Sequence, residues 1–143
     1  MGRRFAGTAG RALLWADVNQ PIEESAGGDD ERSGGVALAG LQLESRGRDE
    51  VAQLDELRLA ALMDRIDCDL ALGRHEPVLG ELGVLVREHP LRERLRAQQM
   101  LALYRAGRQA DALAAYRAAR ETLLDELGLE PSPALRHLHQ AIL

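Results

Sequence analysis

The sequence of 143 residues contains no lysine, a single cysteine, and only one phenylalanine, one tryptophan and two tyrosines, 3% of the chain. Each shortage excludes something. Cys68 cannot close an intramolecular disulfide. The N-terminus has no apolar segment of the secretory type, and a cytoplasmic protein is expected. No run of about 18 apolar residues is present, so no membrane span is expected. So few rings provide neither a base-stacking surface nor the wall of a cofactor pocket. Acidic residues outnumber basic ones 23 to 18, for a net charge of -5. That is the wrong sign for a protein that binds by neutralising phosphates, so no sequence-specific DNA binding by this chain alone is expected. All 18 basic residues are arginine, a mark of GC-rich codon usage that carries no mechanism.

Catalytic and metal constellations are missing as well. The chain has no GxSxG elbow, no phosphate-cradling glycine loop and no paired acids in an apolar setting. His137 and His139, two apart on a helix, point about 200° from one another. His75 and His89 lie at opposite ends of a helical segment, and Asp64, Asp67 and Asp69 read as solubilising surface carboxylates. The expectation is no enzyme, no cofactor and no metal site.

What is present is helical period. Residues 1–49 hold most of the glycines, with Gly27, Gly28, Gly34 and Gly35 around the acidic run Asp29, Asp30 and Glu31. They read as a flexible extension and linker, disordered over residues 20–35, with a short apolar turn at Ala12, Leu13, Leu14 and Trp15. From Glu50 onward, Val51, Leu54, Leu57, Ala61, Leu62, Ile66 and Leu70 recur at spacings of three and four, predicting a first helix that Gly73 stops. A second helix runs from His75 to Glu88 with Val78, Leu79, Leu82, Leu85 and Val86 inward, and ends because Pro90 disfavours helical geometry at His89. A third covers Arg92 to Ala106 and a fourth Gln109 to Leu127, with Gly128 in the left-handed cap position. Ser132 as N-cap and Pro133 at the first helical position begin a fifth helix, Ala134 to Leu143. No segment alternates with period two, so the fold class is all-α.

Gly73 and Gly107 are 34 residues apart, each between two helical segments. At that offset Leu70 aligns with Tyr104, Val78 with Ala112, Leu79 with Leu113, Leu82 with Tyr116 and Leu85 with Ala119. A 34-residue helix-turn-helix period is the mark of tetratricopeptide repeats, in which each hairpin buries one face by stacking on the next. Small residues at Ala112, Ala115 and Ala119 let a neighbouring helix approach, Tyr116 fills the space between hairpins, and the fifth helix caps the stack. The residues expected to carry repeat packing are Leu70, Gly73, Leu82, Tyr104, Gly107, Ala112, Tyr116 and Ala119.

Beyond the period, residues 54–143 resemble the bacterial transcriptional activator domain of the actinobacterial SARP regulators. The stretches that carry the likeness are LDELRLAAL from Leu54, DLALGRH from Asp69, EHPLRERLRAQQMLALYRAGRQADAL from Glu88, AAYRAARETLLDELGLEP from Ala114 and SPALRHLHQAIL from Ser132. The segment Ala12 to Val18 looks like one that opens this domain in the family. Such regulators carry a winged-helix DNA-binding domain ahead of the activator domain; residues 1–49 are too short and glycine-rich to form one, and the chain is expected to lack it. The resemblance implies a regulatory role exerted through protein contacts, with the activator domain at residues 50–143 and a partner that is a second protomer, a DNA-binding domain or the transcription machinery. The competing expectation is a stand-alone tetratricopeptide-like scaffold or peptide-binding module. Arg87, Arg92, Arg94 and Arg96 around the Pro90 turn, and Arg105 and Arg108 around the Gly107 turn, read either as a contact patch for an acidic partner or as a solvated face balanced by Glu88 and Glu93.

Overall fold

A computed structural model describes residues 36–143. The described residues form five helices, α1 (Val36–Ala71), α2 (His75–Glu88), α3 (Glu93–Arg105), α4 (Gln109–Leu127) and α5 (Pro133–Ile142), with no strand among them. They fall into two units, residues 36–65 and 66–143. The expectations for residues 1–35, including the Trp15 turn, lie outside the described residues.

Residues 36–65 are the greater part of α1, and they depart from expectation in two ways. The helix starts at Val36, not at Glu50, so residues 36–49 do sustain helix. The stretch VALAGLQLESRGRD is dominated by alanine, leucine, glutamine, glutamate and arginine, and Gly40 and Gly47, at about 1 kcal/mol each, do not outweigh them. Second, Val51, Leu54 and Leu57 are not inward: they are 58%, 52% and 66% exposed. The buried positions are Leu59 and Met63, on a different line of the helix surface.

Residues 66–143 hold the stacked hairpins. Within this unit α3 packs along α4, α2 along α3, and α5 closes against both α3 and α4. Both turns are built alike at the 34-residue offset. In the first, Leu72 N–H donates to Cys68 O at 3.0 Å, Gly73 N–H to Leu70 O at 3.1 Å and Arg74 N–H to Asp69 O at 2.9 Å. In the second, Ala106 N–H donates to Ala102 O at 3.0 Å, Gly107 N–H to Tyr104 O at 3.0 Å and Arg108 N–H to Leu103 O at 2.8 Å. Gly73 has φ +81° and Gly107 φ +77°, a left-handed conformation that costs any residue with a Cβ about 1–2 kcal/mol. The helices that follow begin 34 residues apart, at His75 and Gln109. The repeat is therefore a repeat of backbone hydrogen bonding as well as of side chains.

Leu70, Leu82, Ala112, Tyr116 and Ala119 are buried, and Tyr104 is half-buried against the core. That core gathers Ala97, Met100 and Leu103 from α3, Ala112, Tyr116 and Ala119 from α4, and Leu135, Leu138 and Ile142 from α5. With no side chain larger than methyl at 97, 112 and 119, the helix backbones approach closely and the Tyr116 ring occupies the remaining space. Its ring stacks on His139 with centroids 3.9 Å apart. Ser132 caps α5 by accepting from Leu135 N–H at 3.3 Å, with Pro133 in the first turn. Two further bonds pin α5: Ser132 N–H donates to Glu93 Oε2 at 2.9 Å, and Gln109 Nε2 donates to Ile142 O at 2.6 Å.

Tyr116→Ala deletes the ring around which α3, α4 and α5 close, and is expected to cost about 3 kcal/mol or more in urea unfolding. Gly107→Val forces a β-branched residue to positive φ and is expected to destabilise by about 1–3 kcal/mol; neutral results for both would refute the stacked-hairpin packing. Because every side chain from Ala37 to Arg58 is exposed, a chain shortened to begin at Arg48 should melt within a few degrees of the full chain. Loss of cooperative melting in that variant would show that the removed residues complete the core.

Candidate functional site

The arginines of the sequence-based patch do not form one surface. Arg94 and Arg96 turn inward from the first turns of α3. Arg94 Nη2 lies 2.5 Å from Asp67 Oδ2, and the same carboxylate accepts from Gln98 Nε2, one turn further along α3. Arg96, 8% exposed, donates from Nε to Pro90 O at 3.2 Å and from Nη2 to Thr122 Oγ1 at 3.4 Å. Burial lowers the pKa of its guanidinium because the charged form loses water. Arg105 Nη1 donates to Leu70 O at 2.6 Å, placing a cation at the C-terminal end of α1, the negative end of the helix dipole. Arg108 pairs with Asp111 at 2.7 Å across one turn, both exposed. Arg87 and Arg92 are exposed.

Asp67 corrects the expectation that it, Asp64 and Asp69 are surface carboxylates. Asp67 is only 9% exposed. Its signal was its register: it falls three residues before Leu70 and four after Met63, on the buried line of α1. A carboxylate there is stable only when charged or amide donors meet it, and Arg94 and Gln98, four apart on α3, supply two. Removing Arg94 takes the counter-charge from a mostly buried carboxylate, a change that costs up to about 3–5 kcal/mol where the pair is fully buried.

Outward positions of residues 66–143 carry a mixed surface. Leu72, Val84, Leu91, Leu127, Leu129 and Leu143 are exposed, scattered over turns and helix ends. Arg120 and Glu130 form a two-pronged pair, with Nε to Oε2 at 2.7 Å. That bond holds the Glu130 carboxyl below its ordinary range and lifts the Arg120 guanidinium. Among the described residues no three His, Cys, Asp or Glu side chains come together to hold a metal ion. No described helix is long and apolar enough to cross a membrane. The turns, caps and buried pairs of residues 66–143 are committed to holding the stack.

The likeness to known proteins falls on this same stack. A family model described as the bacterial transcriptional activator domain matches residues 31–143. The regulatory protein DnrI of Streptomyces peucetius is 49% identical over 109 residues, covering 76% of this chain and 40% of its own length. The transcriptional regulator RedD of Streptomyces coelicolor is 40% identical over 144 residues, 99% of this chain and 41% of its own. A solved structure of Mycobacterium tuberculosis EmbR in complex with a low affinity phosphopeptide superposes with TM-score 0.62 at 42% identity, over 64% of this chain and 24% of that one. The chain thus spans about two-fifths of DnrI and RedD and a quarter of EmbR. With the family match covering the whole of the paired hairpins and their capping helix, the chain belongs to the bacterial transcriptional activator domain family.

Proposed function

We propose that the chain serves transcription regulation as the protein-contact part of a SARP-type activator, without catalysis and without reading DNA itself. The observation that carries this is the family match over residues 31–143, which includes the stacked hairpins of residues 66–143. Repeats of this kind present extended faces whose affinity comes from a few anchors. The EmbR structure, solved with a phosphopeptide, is consistent with protein contact as the mode of action. The partner is a second protomer, a DNA-binding domain or the transcription machinery, and the place of action is the cytoplasm.

Two measurements test the reading. Fused to a heterologous DNA-binding domain, the chain should raise transcription of a reporter bearing the matching operator; no rise would overturn the transcriptional role. In a gel-shift titration at physiological salt the unfused chain should not distinguish promoter from random duplex, because 23 acids against 18 arginines repel the phosphate backbone. Sub-micromolar, promoter-selective binding would overturn the assignment to protein contact.

A further inference from the structure

The outer face of α2 packs against no described element. With Val78, Leu82, Leu85 and Val86 buried on one side of this 14-residue helix, the opposite side presents Glu76, Gly80, Gly83 and Arg87, spaced four, three and four apart along one ridge. Val84 flanks that ridge and is 43% exposed. Glu76 and Arg87 are both exposed, and neither has an ion-pair partner among the described residues. They stand at opposite ends of the helix, acid in the first turn and base in the last.

We propose that this face docks on the same face of a second copy of the chain, the two α2 helices lying antiparallel across a two-fold axis. The inference rests on the protein-contact reading above and names its surface and partner. Charge complementarity selects the occupant. A two-fold axis passing between Glu81 and Leu82 brings Glu76 of each copy level with Arg87 of the other, and by the same symmetry Gly80 level with Gly83. The dimer then closes two ion pairs, each between Glu76 of one copy and Arg87 of the other, and no parallel arrangement of two α2 helices does this.

The middle of the ridge fits that approach. A Cβ on Gly80 would meet nothing within 4 Å, and one on Gly83 would meet only Arg87 Nη1 at 3.8 Å. Packing within the chain therefore does not require either glycine, although each weakens the helix. A helix crossing at this point does require them, since small residues let two backbones come together, and Val84 of one copy fills the space over Gly80 of the other. One face of a 14-residue helix is smaller than the roughly 800 Å² per partner of a standard interface, so the association is weak and concentration-dependent.

Sedimentation of the full chain from micromolar to millimolar concentration tests this. The wild type should pass from monomer to dimer over that range. Glu76→Arg and Arg87→Glu should each weaken the dimer by about tenfold or more, by placing like charges opposite one another. The double exchange should restore it, and so should an equimolar mixture of the two single variants, in which every pair is again opposite in sign. Gly80→Leu should abolish the dimer while its melting midpoint holds or rises, which separates a blocked interface from a damaged fold. A wild type that stays monomeric throughout, or a dimer indifferent to these substitutions, overturns the proposal and assigns the α2 face to a different occupant. A monomer that still activates the reporter would sink this surface and leave the transcriptional reading standing.

Discussion

A helical hairpin has an apolar face that it cannot bury by itself, and the unit of residues 66–143 is organised around that constraint. In the α3–α4 hairpin, α3 packs against α2 and bonds the last turns of α1 through Arg94, Gln98 and Arg105, and α5 covers both helices. Open stacks of this kind need a terminal element that is apolar inward and polar outward. α5 has that form: Leu135, Leu138 and Ile142 face the core, while Arg136, His137 and Gln140 are exposed. Tyr116 sits where the closing helix meets the hairpin, so the ring packs against α5 and the stack ends there. The bonds from Ser132 N–H to Glu93 and from Gln109 to Ile142 O tie both ends of α5 to the hairpin it covers.

Electrostatics follow from the same packing. Where one repeat meets the next, the last turns of α1 lie against α3, and a polar group in that seam is taken out of water. Asp67 is such a group, held by Arg94 and Gln98. Replacing a buried pair of this type with apolar residues is often neutral for stability, whereas breaking one is costly. Arginine suits these positions because its planar fork reaches several acceptors at once, as Arg96 does with Pro90 O and Thr122 Oγ1.

Most of this architecture was legible in the residues. The 3.6 period located α2 to α5, Pro90 and Gly128 marked helix ends, and the glycine pair at a spacing of 34 identified two turns whose backbone bonds coincide. Two things were not legible, for physical reasons. α1 carries two apolar lines, Val51, Leu54 and Leu57 on one and Leu59, Met63, Ile66 and Leu70 on the other. Period alone cannot say which of two such lines is buried, because both satisfy the same helical spacing. The fate of Arg94 and Arg96 was hidden for a related reason: whether an arginine near a turn points to water or into a seam is decided by an acceptor distant in the chain. For Arg94 that acceptor is Asp67, 27 residues earlier; for Arg96 it is Thr122, 26 residues later.

The residues that make the chain most recognisable are therefore mainly those that hold it together. In HPLRERL, Glu93 receives Ser132 N–H, Arg94 meets Asp67 and Arg96 bonds to the Pro90 carbonyl and Thr122. In LYRAGRQADAL, Arg105 closes the end of α1, Arg108 pairs with Asp111, and Gln109 ties α4 to the last carbonyls of α5. Charged words of this kind suggest a contact patch when read in one dimension, because a charge without an obvious partner nearby in sequence looks available. In three dimensions most of them are engaged within the chain. A surface left for partners has to be sought among positions that the fold leaves alone, and on α2 these are the glycines, the exposed valine and the two opposite charges at its ends.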